Sequence, residues 1–113
     1  MLAIRNFGHY WSRDLVYWGK RGDSGDLFGF IMSNRQPFKV NFRDQIGIYI
    51  LFDNDRRAVY VGQAGRGDQR LFVRLRQHTR DDLRDRWTNF SWFGFRDVNK
   101  TGELSNYQDP DSR

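Results

Sequence analysis

Hydrophobic and polar positions fall into a readable order from residue 47 onward. Gly47-Ile48-Tyr49-Ile50-Leu51-Phe52 is rich in β-branched and aromatic side chains, the composition of a strand. Asp53-Asn54-Asp55-Arg56-Arg57 is a polar turn cluster, and Ala58-Val59-Tyr60-Val61-Gly62 reads as a second strand. The two predict an antiparallel hairpin. Gly65-Arg66-Gly67 then forms a flexible loop, with Asp68 placed to cap a helix from about Gln69 to Arg80. At about 100° per residue, Leu71, Phe72, Leu75 and Thr79 share one arc of that helix. Arg74 and His78 stand one turn apart beside its edge. Trp87 to Phe95 predicts a third strand, and the chain beyond Asp97, through Asp109-Pro110-Asp111-Ser112-Arg113, reads as loop.

Residues 1–45 have a different texture. Trp11, Tyr17, Trp18, Phe28 and Phe30 are interrupted by the loop-like run from Gly19 to Asp26. Leu27 to Met32 predicts a short strand, and Pro37 breaks the chain before Lys39-Val40-Asn41-Phe42. The stretch is read as an aromatic-rich N-terminal extension packed onto a module of residues 46–113. The fold class is therefore α/β in the α+β sense: a small, mainly antiparallel three-stranded sheet carrying one helix.

Composition sharpens this picture in three ways. Aromatic residues make up 17% of the chain, so the core is expected to rest on rings, and the four tryptophans are expected mostly inside it. The absence of cysteine excludes disulfides and thiolate metal sites, and no apolar run is long enough for a membrane span. With no secretory pattern at Met1-Leu2-Ala3-Ile4, the expectation is a cytoplasmic protein. Net charge is +5, carried almost wholly by arginine, with lysine only at positions 20, 39 and 100. Arginine's planar fork suits phosphate oxygens, which points toward nucleic acid, although a basic surface kept for solubility fits the net charge equally well. Asp81, Asp82 and Asp85 alternate with arginines and are read as surface pairing rather than a metal cluster.

The spacing of a few residues is more specific. Gly47-Ile48-Tyr49, then Tyr60-Val61-Gly62 after a turn of suitable length, then Arg74 and His78 one turn apart, resemble the motifs of the GIY-YIG nuclease family. The resemblance covers residues 47 to about 95. It implies a metal-dependent endonuclease module acting on DNA, with a bound Mg²⁺ or Mn²⁺. The family's metal-binding glutamate sits on a helix after the third strand. In this chain Glu103 is the one candidate for that ligand, in a segment without helical pattern; the alternatives are a metal-binding helix beyond Arg113 or a degenerate site. A catalytically degenerate nucleic-acid-binding or interaction domain on the same scaffold is the alternative.

By that resemblance Tyr49 is the candidate base and Tyr60 its hydrogen-bonding partner. A phenol is a weak base near its usual pKa of about 10, so Tyr49 requires nearby cations to favour the phenolate. Arg74 would hold the non-bridging phosphate oxygens in a two-pronged contact. For His78 the sequence leaves three roles open: orienting a tyrosine hydroxyl, sharing the base role or touching phosphate. Gln63, Arg66 and Arg70 are candidates for contact with substrate.

Overall fold

A computed structural model describes residues 3–106, so the tail expectation for Asp109–Arg113 lies outside the described residues. Six strands and one α-helix follow in the order β1 (Asn6–Ser12), β2 (Phe28–Ser33), β3 (Gln36–Asn41), β4 (Gly47–Phe52), β5 (Ala58–Ala64), α1 (Leu71–His78) and β6 (Asn89–Gly94). The main sheet has the order β1-β6-β4-β5, with every neighbour antiparallel, and β2-β3 form a separate two-stranded ribbon. The fold is thus α+β with antiparallel sheets, as expected, but the main sheet has four strands rather than three. The fourth, β1, comes from the stretch read as an extension. Sequence periodicity could not reveal it, because its partner β6 lies some eighty residues downstream.

The hairpin of β4 and β5 closes as its residues dictate. The Asp53 carboxylate accepts from the amides of Asp55 (2.8 Å) and Arg57 (2.9 Å), and Arg56 takes φ of 64° between them. Register pairs Tyr49 with Gly62 and Leu51 with Tyr60, and on the other side Tyr49 with Trp92 and Leu51 with Phe90. Since side chains alternate across a strand, Tyr49, Leu51, Tyr60, Phe90 and Trp92 share the face that meets α1. One row of this face reads Gly8–Trp92–Tyr49–Gly62 across the four strands. The outer glycines are seats for the rings. A Cβ on Gly62 would lie 2.3 Å from Tyr49 Cζ, and one on Gly8 would lie 2.2 Å from Trp92 Nε1. The closing glycine of the second tripeptide thus makes room for the tyrosine of the first.

Helix α1 is shorter than expected, and Arg70 rather than Asp68 holds the N-cap position, without a side-chain cap bond. The reason lies outside the helix. The amides of Leu71 and Phe72 donate to the carbonyls of Gln45 (2.9 Å) and Arg43 (3.0 Å), so the link between β3 and β4 caps the helix with backbone. Leu71, Phe72, Leu75 and His78 are buried, while Thr79 ends the helix and bonds back to the Arg76 carbonyl. At the far end Trp87 Nε1 donates to the His78 carbonyl at 3.0 Å. Pro37 lies inside β3 instead of breaking the chain. A two-stranded ribbon leaves each strand a free edge, where proline's missing donor costs little.

The core is aromatic, as composition suggested. Trp11 packs edge-on against Phe90 and Trp92, and Trp18 stacks on Phe72 at 5.5 Å. Trp87 and Trp92 are buried, and Trp11 and Trp18 are partly so. Gln45 is buried but satisfied: its side chain donates to the Arg96 carbonyl (3.0 Å) and accepts from the Arg96 (2.8 Å) and Ile46 (3.1 Å) amides. It fastens the start of β4 to the end of β6, beside Gly94, where a Cβ would meet its amide at 2.3 Å.

Candidate functional site

Four of the sequence-designated residues converge where α1 crosses the β4–β5 hairpin. Tyr49 and Tyr60 project from neighbouring strands with ring centres 6.1 Å apart. The His78 ring lies 5.6 Å from the first and 4.8 Å from the second. Arg74, one turn earlier on the helix, donates from Nη2 to the Tyr60 hydroxyl at 3.4 Å and from Nη1 to Gln77 at 2.9 Å. Its Nε is buried without a hydrogen-bond partner among the described residues. The site has an inner and an outer half: Tyr49 and His78 are buried, whereas Tyr60 and Arg74 are partly exposed.

The inner half is a hydrogen-bonded chain. The Tyr49 hydroxyl and His78 Nε2 are 2.7 Å apart, and His78 Nδ1 lies 2.8 Å from Asp81 Oδ2. A carboxylate accepts only from the protonated ring nitrogen, so Asp81 fixes the proton on Nδ1 and leaves Nε2 to accept from Tyr49. The sequence reading puts Asp81 in a surface-pairing run of aspartates; its spacing of three from His78 is the signal that places it under the ring. Partial burial alone would raise the Asp81 carboxyl. The Leu83 amide (2.9 Å) and the His78 ring outweigh that and hold it below the usual carboxylate range. Asp81 therefore contributes stability that is present above its unfolded value and is lost as pH falls through the lower folded one. Asp81→Ala is expected to cost ~1–2 kcal/mol at pH 7 by stranding the His78 N–H. In urea titrations the difference from wild type should shrink below about pH 4; a gap that persists there would refute the assignment.

Tyr49 departs from the sequence expectation. Burial pushes its phenol up from 10.0 to about 12, against the opposing pull of the Arg74 charge. The folded state thus prefers the neutral phenol, and the unfolded chain ionises first. Stability from this group is complete below pH 10 and is lost as pH rises from 10 through 12, by ~2–3 kcal/mol. Absorbance at 295 nm during alkaline titration is expected to show one tyrosine ionising last, together with unfolding. Tyr49→Phe should abolish that late step, and its persistence would assign the buried phenol elsewhere.

The remaining candidates stand apart from this cluster. Gln63 pairs with Ile48 on the opposite face of the sheet, because it follows Gly62 by one position. Arg66 is exposed in the loop before α1. Arg70 is tied to that loop through the Gly67 (3.1 Å) and Gly65 (3.5 Å) carbonyls. Glu103 is exposed in a turn held by the Asn99 side chain, and it lines a separate hollow with Asn41, Arg43, Asp44 and Arg96.

Among the described residues no group of three or more histidine, aspartate or glutamate side chains is placed to hold a metal. Asp81, the carboxylate bonded into the cluster, has Oδ2 on His78 and Oδ1 on the Leu83 amide. Nor is any helix among the described residues long and apolar enough to cross a membrane. Comparison with protein-family models, curated proteins and solved structures finds no match to this chain.

Proposed function

We propose that the chain is a GIY-YIG-type module that hydrolyses phosphodiester bonds in DNA, with Tyr49, Tyr60, Arg74 and His78 as its reaction centre. One observation carries this reading: two phenols, a guanidinium and an imidazole, designated by motif spacing alone, meet within ring-contact and hydrogen-bond distance. Arg74 and Tyr60 form the half that a phosphate reaches. The guanidinium offsets charge growing on the non-bridging oxygens, and the Tyr60 hydroxyl orients them. Tyr49 is neutral at physiological pH and cannot begin as a phenolate. With no surface exposed to water, it serves instead as the inner prop of the site, donating to His78 Nε2 while Asp81 holds the opposite ring nitrogen. The resemblance also implies Mg²⁺ or Mn²⁺; the candidate ligand Glu103 lines a separate hollow, and none of these side-chain roles runs through a metal.

The engagement of Asp81 with His78 and the Leu83 amide, and the placing of Glu103 in a separate hollow, favour a second reading, a nucleic-acid-binding module that does not cut. Supercoiled plasmid incubated with the chain, with and without Mg²⁺ or Mn²⁺, separates the two. Nicking that is lost in Tyr60→Phe, at unchanged thermal stability, supports hydrolysis. Salt-sensitive DNA binding without nicking under any condition transfers the case to the second reading.

A further inference from the structure

The ribbon of β2 and β3 has two unlike faces. Gly29 and Val40 are buried against the body of the protein, whereas Phe28, Phe30 and Met32, at alternate positions, are 48%, 69% and 68% exposed. Opposite these three in register stand Asn41, Lys39 and Pro37. No Asp or Glu occurs between Phe28 and Asn41, while Arg35 and Lys39 are cations. Lys100 lines the adjoining hollow with Met32 and Ser33. The Lys39 ammonium sits 4.0 Å above one face of the Phe28 ring. At the tip Asn34 and Arg35 both take positive φ (51° and 66°), as in a tight two-residue hairpin turn, so the ribbon's end has a defined shape.

Exposed rings with cations and no acid among them match the chemistry of a nucleic-acid strand, and spacing selects which kind. Residues two apart on a strand stand roughly 6.7 Å apart, about twice the ~3.4 Å step between bases of one strand in a duplex. Stacked base pairs cannot lie on both Phe28 and Phe30. An extended single strand with splayed bases can, because every base has a stacking face. We infer that the outward face of the β2–β3 ribbon is a stacking platform for single-stranded DNA. Phe28 and Phe30 receive bases, and Arg35, Lys39 and Lys100 meet the phosphates. The inference rests on the phosphodiester reading and narrows its substrate to DNA with unpaired nucleotides.

Fluorescence anisotropy with labelled oligo(dT) and with a blunt duplex tests it. The double variant Phe30→Ala with Met32→Ala removes two side chains that are about two thirds exposed and is expected to weaken oligo(dT) binding about tenfold or more, with duplex binding within twofold. Arg35→Ala, which leaves the apolar row intact, is expected to lower the slope of log affinity against log salt by about 0.7. Unchanged oligo(dT) affinity in both variants overturns the inference. So does a wild-type dimer that the double variant converts to monomer, since a second copy would then cover the row. If wild type nicks plasmid while the variants bind oligo(dT) normally, only this inference fails; if wild type binds no DNA, the phosphodiester reading fails with it.

Discussion

Gly47→Ala is expected to destabilise the protein by ~3–5 kcal/mol, a large part of what a domain of this size possesses. The residue opens β4 with φ of 146°, a conformation that side-chain-bearing residues rarely adopt. A Cβ there would stand 1.9 Å from the carbonyl oxygen of Phe93, its backbone neighbour across the β4–β6 ladder. A backbone carbonyl inside a ladder cannot step aside as a side chain can, so the two central strands must separate locally. Gly22→Ala supplies the comparison. Its φ is also positive, at 84°, but nothing lies within 4 Å of the added methyl, so backbone strain alone applies, about 1 kcal/mol. Urea unfolding of the two variants separates strain from collision. Equal losses would mean that the contact with Phe93 is relieved without cost.

Arg74→Ala is expected to lower plasmid nicking about a thousandfold, the upper end of what removing one charge-stabilising donor does. Arg74→Lys should recover no more than about tenfold, since an ammonium keeps the charge and loses the planar fork. The side chain makes no ion pair among the described residues, and its bonds to Tyr60 and Gln77 are to neutral groups. Thermal stability should therefore change little, which separates a chemical loss from a folding loss. Nicking by Arg74→Ala within tenfold of wild type would remove Arg74 from the reaction centre and the reading with it. The same substitution would also raise Tyr49 further, because the Arg74 charge is what opposes burial there.

The hairpin, the helix and β6 were legible because each rests on local signals: a β-branched run, a polar turn, an apolar arc. The meeting of Tyr49 with Tyr60 was implied by the motif resemblance alone, since the register that puts both on one face, with its irregularity between Leu51 and Phe52, is not written in the turn's composition. What escaped depends on partners far along the chain. Nothing near Asn6–Ser12 announces a strand until β6 is present to pair with it. The Asp68 cap failed because the Gln45 and Arg43 carbonyls already occupy the helix's first amides. The sign of the Tyr49 shift was missed because proximity to arginine can be guessed from a sequence, whereas complete burial of the ring in a core shared with Trp92, Phe72 and Leu75 cannot. Asp81 escaped for a related reason: its role follows from the ring above it, not from the arginines beside it.

The pairing of β1 with β6 also has a kinetic side. A ribosome delivers Asn6–Ser12 roughly eighty residues before β6, its sheet neighbour among the described residues. Until then Phe7, Tyr10 and Trp11 have no ladder to join, and closing so long a loop is slow relative to forming the local hairpin of β4 and β5. Refolding is accordingly expected to dock the first strand late, so the edge of β6 is the surface most open to misassociation while the chain matures.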